Sequence, residues 1–276
     1  MQELVFQDSA FDLSDSKKYK ISIQASLDGF SLLMLHAESC QVHRANFMPI
    51  TLSNHSGLIR KSGEIIEKLG LTGKDFHDVT VYLSDRQVKL IPAELYNEKT
   101  VKRILTAQWP GSKKKTATGM MLNDDYYLAF SIDSGLLDFF SEQFQGCIIK
   151  HEALPLISNL LKTNIADSCT IHAHFHTGYF FVSVVRGNQL LFFNAFEYQS
   201  PDDIVYYLAS SIQAIDANEP NIMFSGNIPE DSNHYRRIKS FFPSAMLSNS
   251  NLEILEATGW SSDTKRFLLP VISDQL

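Results

Sequence analysis

The chain has 276 residues, of which 44% are hydrophobic and 20% are charged, and it carries a net charge of −7 at pH 7. This composition is typical of a globular protein with a substantial core, and it argues against a disordered chain. The net negative charge does not attract phosphate groups, so we expect no binding to nucleic acid.

The sequence also argues against export and membrane insertion. Residues 1–8 contain acidic side chains where a signal peptide would have an apolar stretch. The longest apolar runs are far shorter than the roughly 20 residues that a membrane-spanning helix needs. Cys40, Cys147 and Cys169 are widely spaced and form no CxxC pair, which supports neither a disulfide framework nor a cysteine zinc site. We therefore expect a cytoplasmic protein without membrane insertion.

After a polar lead-in over residues 1–19, the chain is predicted to form three strands and a helix. The apolar runs that predict the strands cover residues 20–25, 30–36 and 42–48. Asp28-Gly29 lies between the first two runs and is a strong hairpin signal, because a type I′ turn needs positive φ at both central residues. Asn54 or Ser53 is expected to cap the helix, and residues 79–83 are predicted to form a buried strand.

The middle of the chain is predicted to contain alternating short elements. They are an extended segment at 88–93, a helix at 98–107 capped by Asn97, a strand at 126–132, and helices at 136–144 and 154–161. The lysine-rich segment at 111–116 resembles a phosphate-binding loop only superficially, because it lacks a second glycine beside the lysine.

The second half repeats the plan of the first. Its three apolar runs cover residues 170–175, 179–185 and 189–196. Thr177-Gly178 is predicted to turn the first hairpin, and Ser200 is a helix cap followed by a proline and acidic residues. A strand at 221–224 and a helix at about 231–242 complete this half.

The element order β-β-β-α-β-α is therefore predicted twice. It indicates a duplicated α/β fold with two similar lobes, at residues 20–125 and 126–276, which face each other across a cleft. This is the arrangement of the actin-like ATPase (ribonuclease H-like) fold. Two independent hairpin–helix modules of an unrelated fold would give the same string of elements.

Two segments, Ile21–Ser31 and Phe192–Leu208, carry a resemblance that extends over most of the chain, from about Lys20 to Pro270. In them the chain resembles an uncharacterised family of bacterial proteins of unknown function with an actin-like fold, related to pilus-assembly and secretion-platform proteins. The resemblance implies two lobes around a central cleft. It implies no settled activity.

Active members of this superfold hold phosphate with the first hairpin of each lobe, through an Asp-x-Gly loop whose Asp binds Mg²⁺ through water. The matching positions here are Asp28, Gly29 and Ser31 in the first lobe and Thr177 and Gly178 in the second. The spacer between the aspartate and its glycine is missing, the second loop has no carboxylate, and an aromatic residue follows each glycine. We therefore expect tight two-residue turns that cannot wrap a phosphate.

The third nucleotide contact that the resemblance implies is a glycine-rich loop after the fourth strand of the second lobe. Ser225, Gly226 and Asn227 lie at that place and keep one glycine, although a glycine that ends a strand is also common for structural reasons. We identify no carboxylate or glutamine placed to activate water. We therefore expect no hydrolysis, and weak nucleotide binding stays open.

His172, His174 and His176 alternate along one predicted strand, so their side chains share a face. The outer two are separated by roughly 13 Å, which is too far for one ion. Two of them with a carboxylate from elsewhere would form a metal site, and the sequence does not identify that carboxylate. We therefore predict no metal, and the face is either exposed to solvent or directed into the cleft.

These observations favour a non-catalytic scaffold or interaction protein with degenerate phosphate-binding loops and no cofactor. Its partner is expected to be another protein, and the exposed aromatic residues Trp260 and Phe267 are candidate contacts unless they pack in the core. The alternative is a divergent ATPase that binds ATP and magnesium through the three loops. The width of the two hairpin turns distinguishes the alternatives.

Overall fold

The computed structural model describes residues 3–111, 116–165, 168–216, 219–248 and 252–274, so the lysines at 113–115 lie outside the described residues. The elements of the first part are β1 (Leu4–Gln7), β2 (Tyr19–Ala25), β3 (Gly29–His36), β4 (Val42–Pro49), α1 (His55–Lys68), β5 (Asp78–Leu83), β6 (Val88–Pro92), α2 (Glu98–Gln108), β7 (Thr116–Met121), β8 (Tyr126–Ile132), α3 (Ser134–Gln143), β9 (Ile148–His151) and α4 (Ala153–Thr163). Those of the second part are β10 (Cys169–His176), β11 (Tyr179–Arg186), β12 (Gln189–Glu197), α5 (Pro201–Ala214), β13 (Asn221–Gly226), α6 (Asn233–Phe241), β14 (Met246–Leu247), α7 (Ser262–Lys265) and α8 (Leu269–Ser273). Short 3₁₀ segments cover Leu13–Lys18, Ala93–Leu95, Leu252–Thr258 and Arg266–Leu268.

Two mixed sheets share one topology, apart from the additional edge strand β1 of the first sheet. The strand order is β1-β4-β3-β2-β5-β9 in the first sheet and β12-β11-β10-β13-β14 in the second. In each, three consecutive antiparallel strands are followed by two strands that run parallel to the first of the three. The predicted α/β fold class, with the same strand arrangement in both halves, is therefore observed.

Local sequence signals account for the positions of the helices. The Asn54 side chain caps α1 by accepting a hydrogen bond from the Gly57 amide. Ser200 and Asp203 form a capping box at α5, whose first residue is Pro201. Both caps were predicted from the sequence.

The first hairpin turn differs from its prediction in register. Ser26 N donates to Gly29 O, so the two central residues are Leu27 and Asp28. Gly29 lies in β3 opposite Pro49 and does not have positive φ, and a type I′ turn at Asp28-Gly29 was therefore wrong. The turn is nevertheless tight.

The second turn is as predicted. Thr177 and Gly178 lie between the paired residues His176 and Tyr179, and Gly178 has φ +82°.

From here on, the first lobe is the part of the chain that carries β1–β9 and the second lobe is the part that carries β10–β14, and the boundary between residues 125 and 126 stays a prediction. β8 pairs with β6 and β7 in a small third sheet, and β9 joins the edge of the first sheet. The lead-in also contributes structure, because β1 pairs with β4. The second sheet takes its strands only from residues 169–247.

The C-terminal segment returns to the first lobe. Leu255, Leu268 and Ile272 are buried in one apolar cluster with residues of the first sheet. Trp260 and Phe267 are partly buried against the same cluster, so both candidate partner contacts pack on the core. None of the helices in the described ranges combines the length and apolar character that a membrane-spanning segment requires.

A continuous apolar core joins the two lobes. Phe181, Val185 and Phe193 of the second sheet belong to the same buried cluster as Phe130 of the first lobe. The His151 ring lies between Phe130 and Phe181, with ring centroids 5.2 and 5.5 Å away. The cleft is therefore filled on this side, and the lobes are packed together.

The end of β13 leaves no room for a side chain at Gly226, where φ is +76° and a Cβ atom would lie 2.3 Å from the Phe175 carbonyl oxygen. We expect Gly226→Ala to lower the free energy of unfolding by about 3 kcal/mol or more, because left-handed strain and a clash with backbone add. Gly178→Ala is the matched control, because Gly178 has φ +82° and no atom within 4 Å of the Cβ position. It should cost about 1–2 kcal/mol in urea unfolding. Equal losses in the two variants would contradict the close packing at Gly226.

The stacking of Phe267 on Phe47, with ring centroids 4.6 Å apart, fixes the C-terminal segment on the first sheet. We expect Phe267→Ala to lower the free energy of unfolding by about 2–3 kcal/mol. Phe241→Ala, at a residue that is 53% exposed, should change it by about 0.5 kcal/mol or less. Urea denaturation monitored by circular dichroism measures both. A Phe267→Ala loss as small as that of the control would place this ring outside the core.

Candidate functional site at the carboxyl ends of both sheets

The carboxyl ends of the parallel strands of the first sheet place three polar side chains together. Gln24 lies near the end of β2, Ser84 directly follows β5, and Glu152 directly follows β9. Because these strands are neighbours and parallel, their ends meet at one edge of the sheet. The Glu152 amide donates to Leu83 O, 3.2 Å away, which holds this residue beside the end of β5.

The second sheet directs three histidines toward the same place. His172, His174 and His176 occupy alternate positions of β10 and are all buried. Ser225 of β13 lies beside His174 in the parallel register, and its Oγ is 2.7 Å from both His172 Nε2 and His174 Nδ1. The predicted histidine face is thus directed into the protein, and not into solvent.

Asp28 connects the first hairpin turn to the second across the lobes. Its Oδ2 accepts a hydrogen bond from the Thr177 amide, at 2.9 Å, and its Oδ1 is 3.2 Å from His176 Nδ1. The other ring nitrogen, His176 Nε2, is 2.5 Å from Glu152 Oε1. The imidazole of His176 therefore lies between two carboxylates of the first lobe.

The second oxygen of Glu152 is fixed by donors from its own sheet. Gln24 Nε2 donates to Glu152 Oε2 at 2.8 Å, and Ser84 Oγ donates to the same oxygen. Glu152 is 0% exposed, so these donors replace the water that a carboxylate normally binds.

The two carboxylates and His176 favour one another's charged forms. Burial opposes ionisation of Asp28 and Glu152, but the His176 imidazolium outweighs it and holds the pKa of both carboxyls well below the usual range. Burial likewise lowers the pKa of His176, and the charges of Glu152 and Asp28 outweigh it and raise that pKa well above 6.5. Without another cation, His176 is therefore protonated.

The other two histidines are held neutral. Burial lowers the pKa of His172 to about 4 and that of His174 to about 3. Of the three alternating histidines, one carries charge and two accept or donate hydrogen bonds as neutral rings.

The structure brings the three predicted phosphate loops together. A cavity of about 20 Å³ is bordered by predicted residues of the first and third loops, namely Asp28, Gly29, Ser31, Gly226 and Asn227. It has room for one water molecule and not for a phosphate.

The remaining predicted residues lie beside that cavity. Thr177 and Gly178 border the larger cavity at the mouth of the cleft, and Asn227 Nδ2 donates to Thr177 Oγ1 at 3.2 Å. Ser225 faces the histidines instead of the cleft. Asp28, Thr177 and Asn227, one from each loop, are thus bonded to one another.

The cavity at the mouth of the cleft has a volume of about 520 Å³ and lies between the lobes. Asp28, Asp85 and Glu197 give its lining an acidic character. Arg86 of the first lobe forms an ion pair with Glu197 of the second, so this cation is already partnered.

Sequence reasoning missed Glu152, Gln24 and Ser84. β9 is only four residues long and was not predicted, so Glu152 was not seen to follow a strand. The signal that was available for Ser84 is its position directly after the predicted strand at 79–83, where parallel sheets place their ligands.

Comparison with solved structures supports the actin-like architecture. A protein of actin-like ATPase fold and unknown function from Bacteroides thetaiotaomicron superposes with a TM-score of 0.78 at 18% identity, covering 92% of this chain and 100% of that one. PilM in the PilM–PilN type IV pilus biogenesis complex gives a TM-score of 0.62 at 10% identity, over 93% of this chain and 96% of that one. The ethanolamine utilization protein EutJ from Carboxydothermus hydrogenoformans gives 0.51 at 9% identity, over 94% and 89%. At these identities the likeness shows the fold.

No match was found among curated proteins. The family model described as protein of unknown function (DUF3822) matches residues 8–245, which is most of the chain. The resemblance inferred from the sequence, to a family of unknown function with an actin-like fold, is thereby confirmed. The chain belongs to the DUF3822 family.

Proposed function

We propose that the protein is a non-catalytic assembly or interaction protein, in which an actin-like fold is kept closed by contacts that replace a bound nucleotide. The observation that carries the proposal is the position of the Asp28 carboxylate. It accepts the Thr177 amide at 2.9 Å, and this amide belongs to the turn that would bind phosphate in an active relative. An internal anion thus takes the place of the phosphate.

Protein groups already bind both oxygens of the same carboxylate. Asp28 Oδ1 faces His176, and it also accepts a hydrogen bond from Ser26 Oγ at 2.6 Å, while Oδ2 binds the Thr177 amide. A bound Mg²⁺ with its waters would have to displace these contacts. This competition supports a cleft that does not bind Mg²⁺–ATP.

The tight turns support the same conclusion. Each hairpin has two central residues, Leu27 and Asp28 in the first lobe and Thr177 and Gly178 in the second, so neither turn surrounds a phosphate-sized space. The interlobe core, with Phe181 and Phe193 packed in the same cluster as Phe130, further opposes the opening of the lobes. A fold fixed in this way is suited to present a surface to a protein partner.

The likeness of the fold to PilM favours a protein as the partner. PilM is found with PilN in a type IV pilus biogenesis complex, so the actin-like fold serves there in a protein assembly. We infer that this chain also acts through a protein partner, and its net charge of −7 favours a partner with a basic surface.

A divergent ATPase is the second candidate function. The observation that favours it is the cavity of about 520 Å³ beside Asp28 and Thr177, which is within the usual size range of ligand sites. Its acidic lining opposes a triphosphate.

The proposal predicts that the wild-type protein does not bind Mg²⁺ with a non-hydrolysable ATP analogue. In isothermal titration calorimetry the heat should equal that of dilution at millimolar ligand, because Asp28 occupies the Thr177 amide that a phosphate would need. Binding at micromolar strength would favour the ATPase.

Two variants locate any binding that is observed. Thr177→Trp fills the mouth of the cleft from an exposed turn position, and Thr72→Trp is its matched control at an exposed loop position outside that cavity. Loss of binding in Thr177→Trp alone would place nucleotide in the cleft and contradict the proposal.

A further inference from the structure

Three side chains from both lobes converge on one buried point. Glu152, His174 and His176 each direct a potential ligand atom to it, and these atoms lie within 4.8 Å of one another. The three residues are 0%, 2% and 4% exposed. Ligand atoms on a tetrahedral zinc ion are separated by roughly 3.3 Å, so small side-chain rotations bring this set to coordination distance.

The atoms that would not bind metal are already fixed. His174 Nδ1 is held by Ser225 Oγ at 2.7 Å, and His176 Nδ1 is held by Asp28 at 3.2 Å. This leaves the Nε2 atom of each ring for the ion. A histidine ligand is usually oriented in this way, by a hydrogen bond from its other ring nitrogen to a carboxylate or another acceptor.

The carboxylate has the same arrangement. Glu152 Oε2 accepts hydrogen bonds from Gln24 and Ser84, while Oε1 is directed to the histidines. Hydrogen bonds to the second oxygen of a ligating carboxylate are a common feature of metal sites. The first lobe therefore supplies the carboxylate that the sequence did not identify.

Two of the candidate ligand atoms lie side by side inside the protein. Glu152 Oε1 and His176 Nε2 are both buried and 2.5 Å apart. Neither atom is bound by any other donor or acceptor among the described residues, so one cation is able to bind both.

Space remains for a fourth ligand. The cavity of about 20 Å³ is bordered by both His174 and His176, and one water molecule fits it. Three protein ligands and a water complete the four-coordinate geometry that zinc prefers.

We propose that Glu152 Oε1, His174 Nε2 and His176 Nε2 bind one divalent transition-metal ion, and that zinc is the ion this set of imidazole and carboxylate ligands favours. The ligands come from both lobes, since Glu152 follows β9 of the first sheet and the histidines lie on β10 of the second. The ion therefore connects the lobes. This inference is independent of the absence or presence of nucleotide in the cleft.

The test is zinc uptake by the full chain purified without an affinity tag, stripped with EDTA and desalted. Titration with Zn²⁺, with bound metal measured by mass spectrometry, should give one zinc ion per chain and a higher Tm. Wild-type protein that stays folded after EDTA and takes up no zinc overturns the proposal, and this result does not depend on any variant.

Variants assign the ligands. Glu152→Gln and His174→Gln should each weaken zinc binding by about tenfold or more. The matched control is His43→Gln, because His43 is also a buried histidine, at 8% exposure, but does not belong to the convergent group. This variant should bind zinc within about twofold of wild type, because His43 neither binds the ion nor orients a ligand. With circular dichroism confirming that the variants are folded, unchanged binding in both ligand variants overturns the assignment.

Discussion

The contact between Asp28 and the turn at His176-Thr177 is the constraint on which the arrangement of the two lobes depends. It joins the first hairpin of one sheet to the first hairpin of the other, through the Thr177 amide and the His176 ring. Because His176 also faces Glu152, a single buried cluster fixes the ends of β9 and β10 and the two hairpin turns relative to one another. The apolar core around Phe181 then closes the remaining side of the cleft.

Such a cluster specifies a conformation more than it stabilises one. Removing carboxylates and an imidazole from water costs several kcal/mol per ion, and the mutual attraction of the charges offsets this only when the geometry is good. In this chain the cost is reduced by neutral donors, since Gln24 and Ser84 bind Glu152 while Ser26 binds Asp28. Opening the lobes would separate His176 and the Thr177 amide from Asp28 and Glu152, so these contacts favour the closed arrangement.

Most of the fold could be predicted from the sequence, because its signals are local. Strand alternation, the Asn54 and Ser200 caps and the Thr177-Gly178 turn depend on residues a few positions apart, and they agree with the structure. The three phosphate loops, carried over by resemblance, do meet in space. The register of the first turn was predicted wrongly, because Asp28-Gly29 fits a hairpin in two registers. In the structure Gly29 belongs to β3 and lies against the Phe47 ring of β4.

The chemistry of the site could not be predicted, because it depends on contacts between distant parts of the chain. Glu152 follows a strand of four residues, which is too short to show alternation, and Asp28 meets His176 only after both sheets have formed. The packing of residues 252–274 against the first sheet is equally non-local, because it joins segments that are about 200 residues apart in the chain.

The Thr177 amide offers the most direct test of the closed cleft. Thr177 lies in an exposed turn, and its amide is bonded to Asp28 of the other lobe, so protection from hydrogen exchange reports this contact. We predict that the amide is protected in wild-type protein and that Asp28→Ala removes the protection, as measured by residue-resolved NMR. Exchange of the Thr177 amide at the rate of an unstructured peptide in the wild-type protein would contradict the closed cleft.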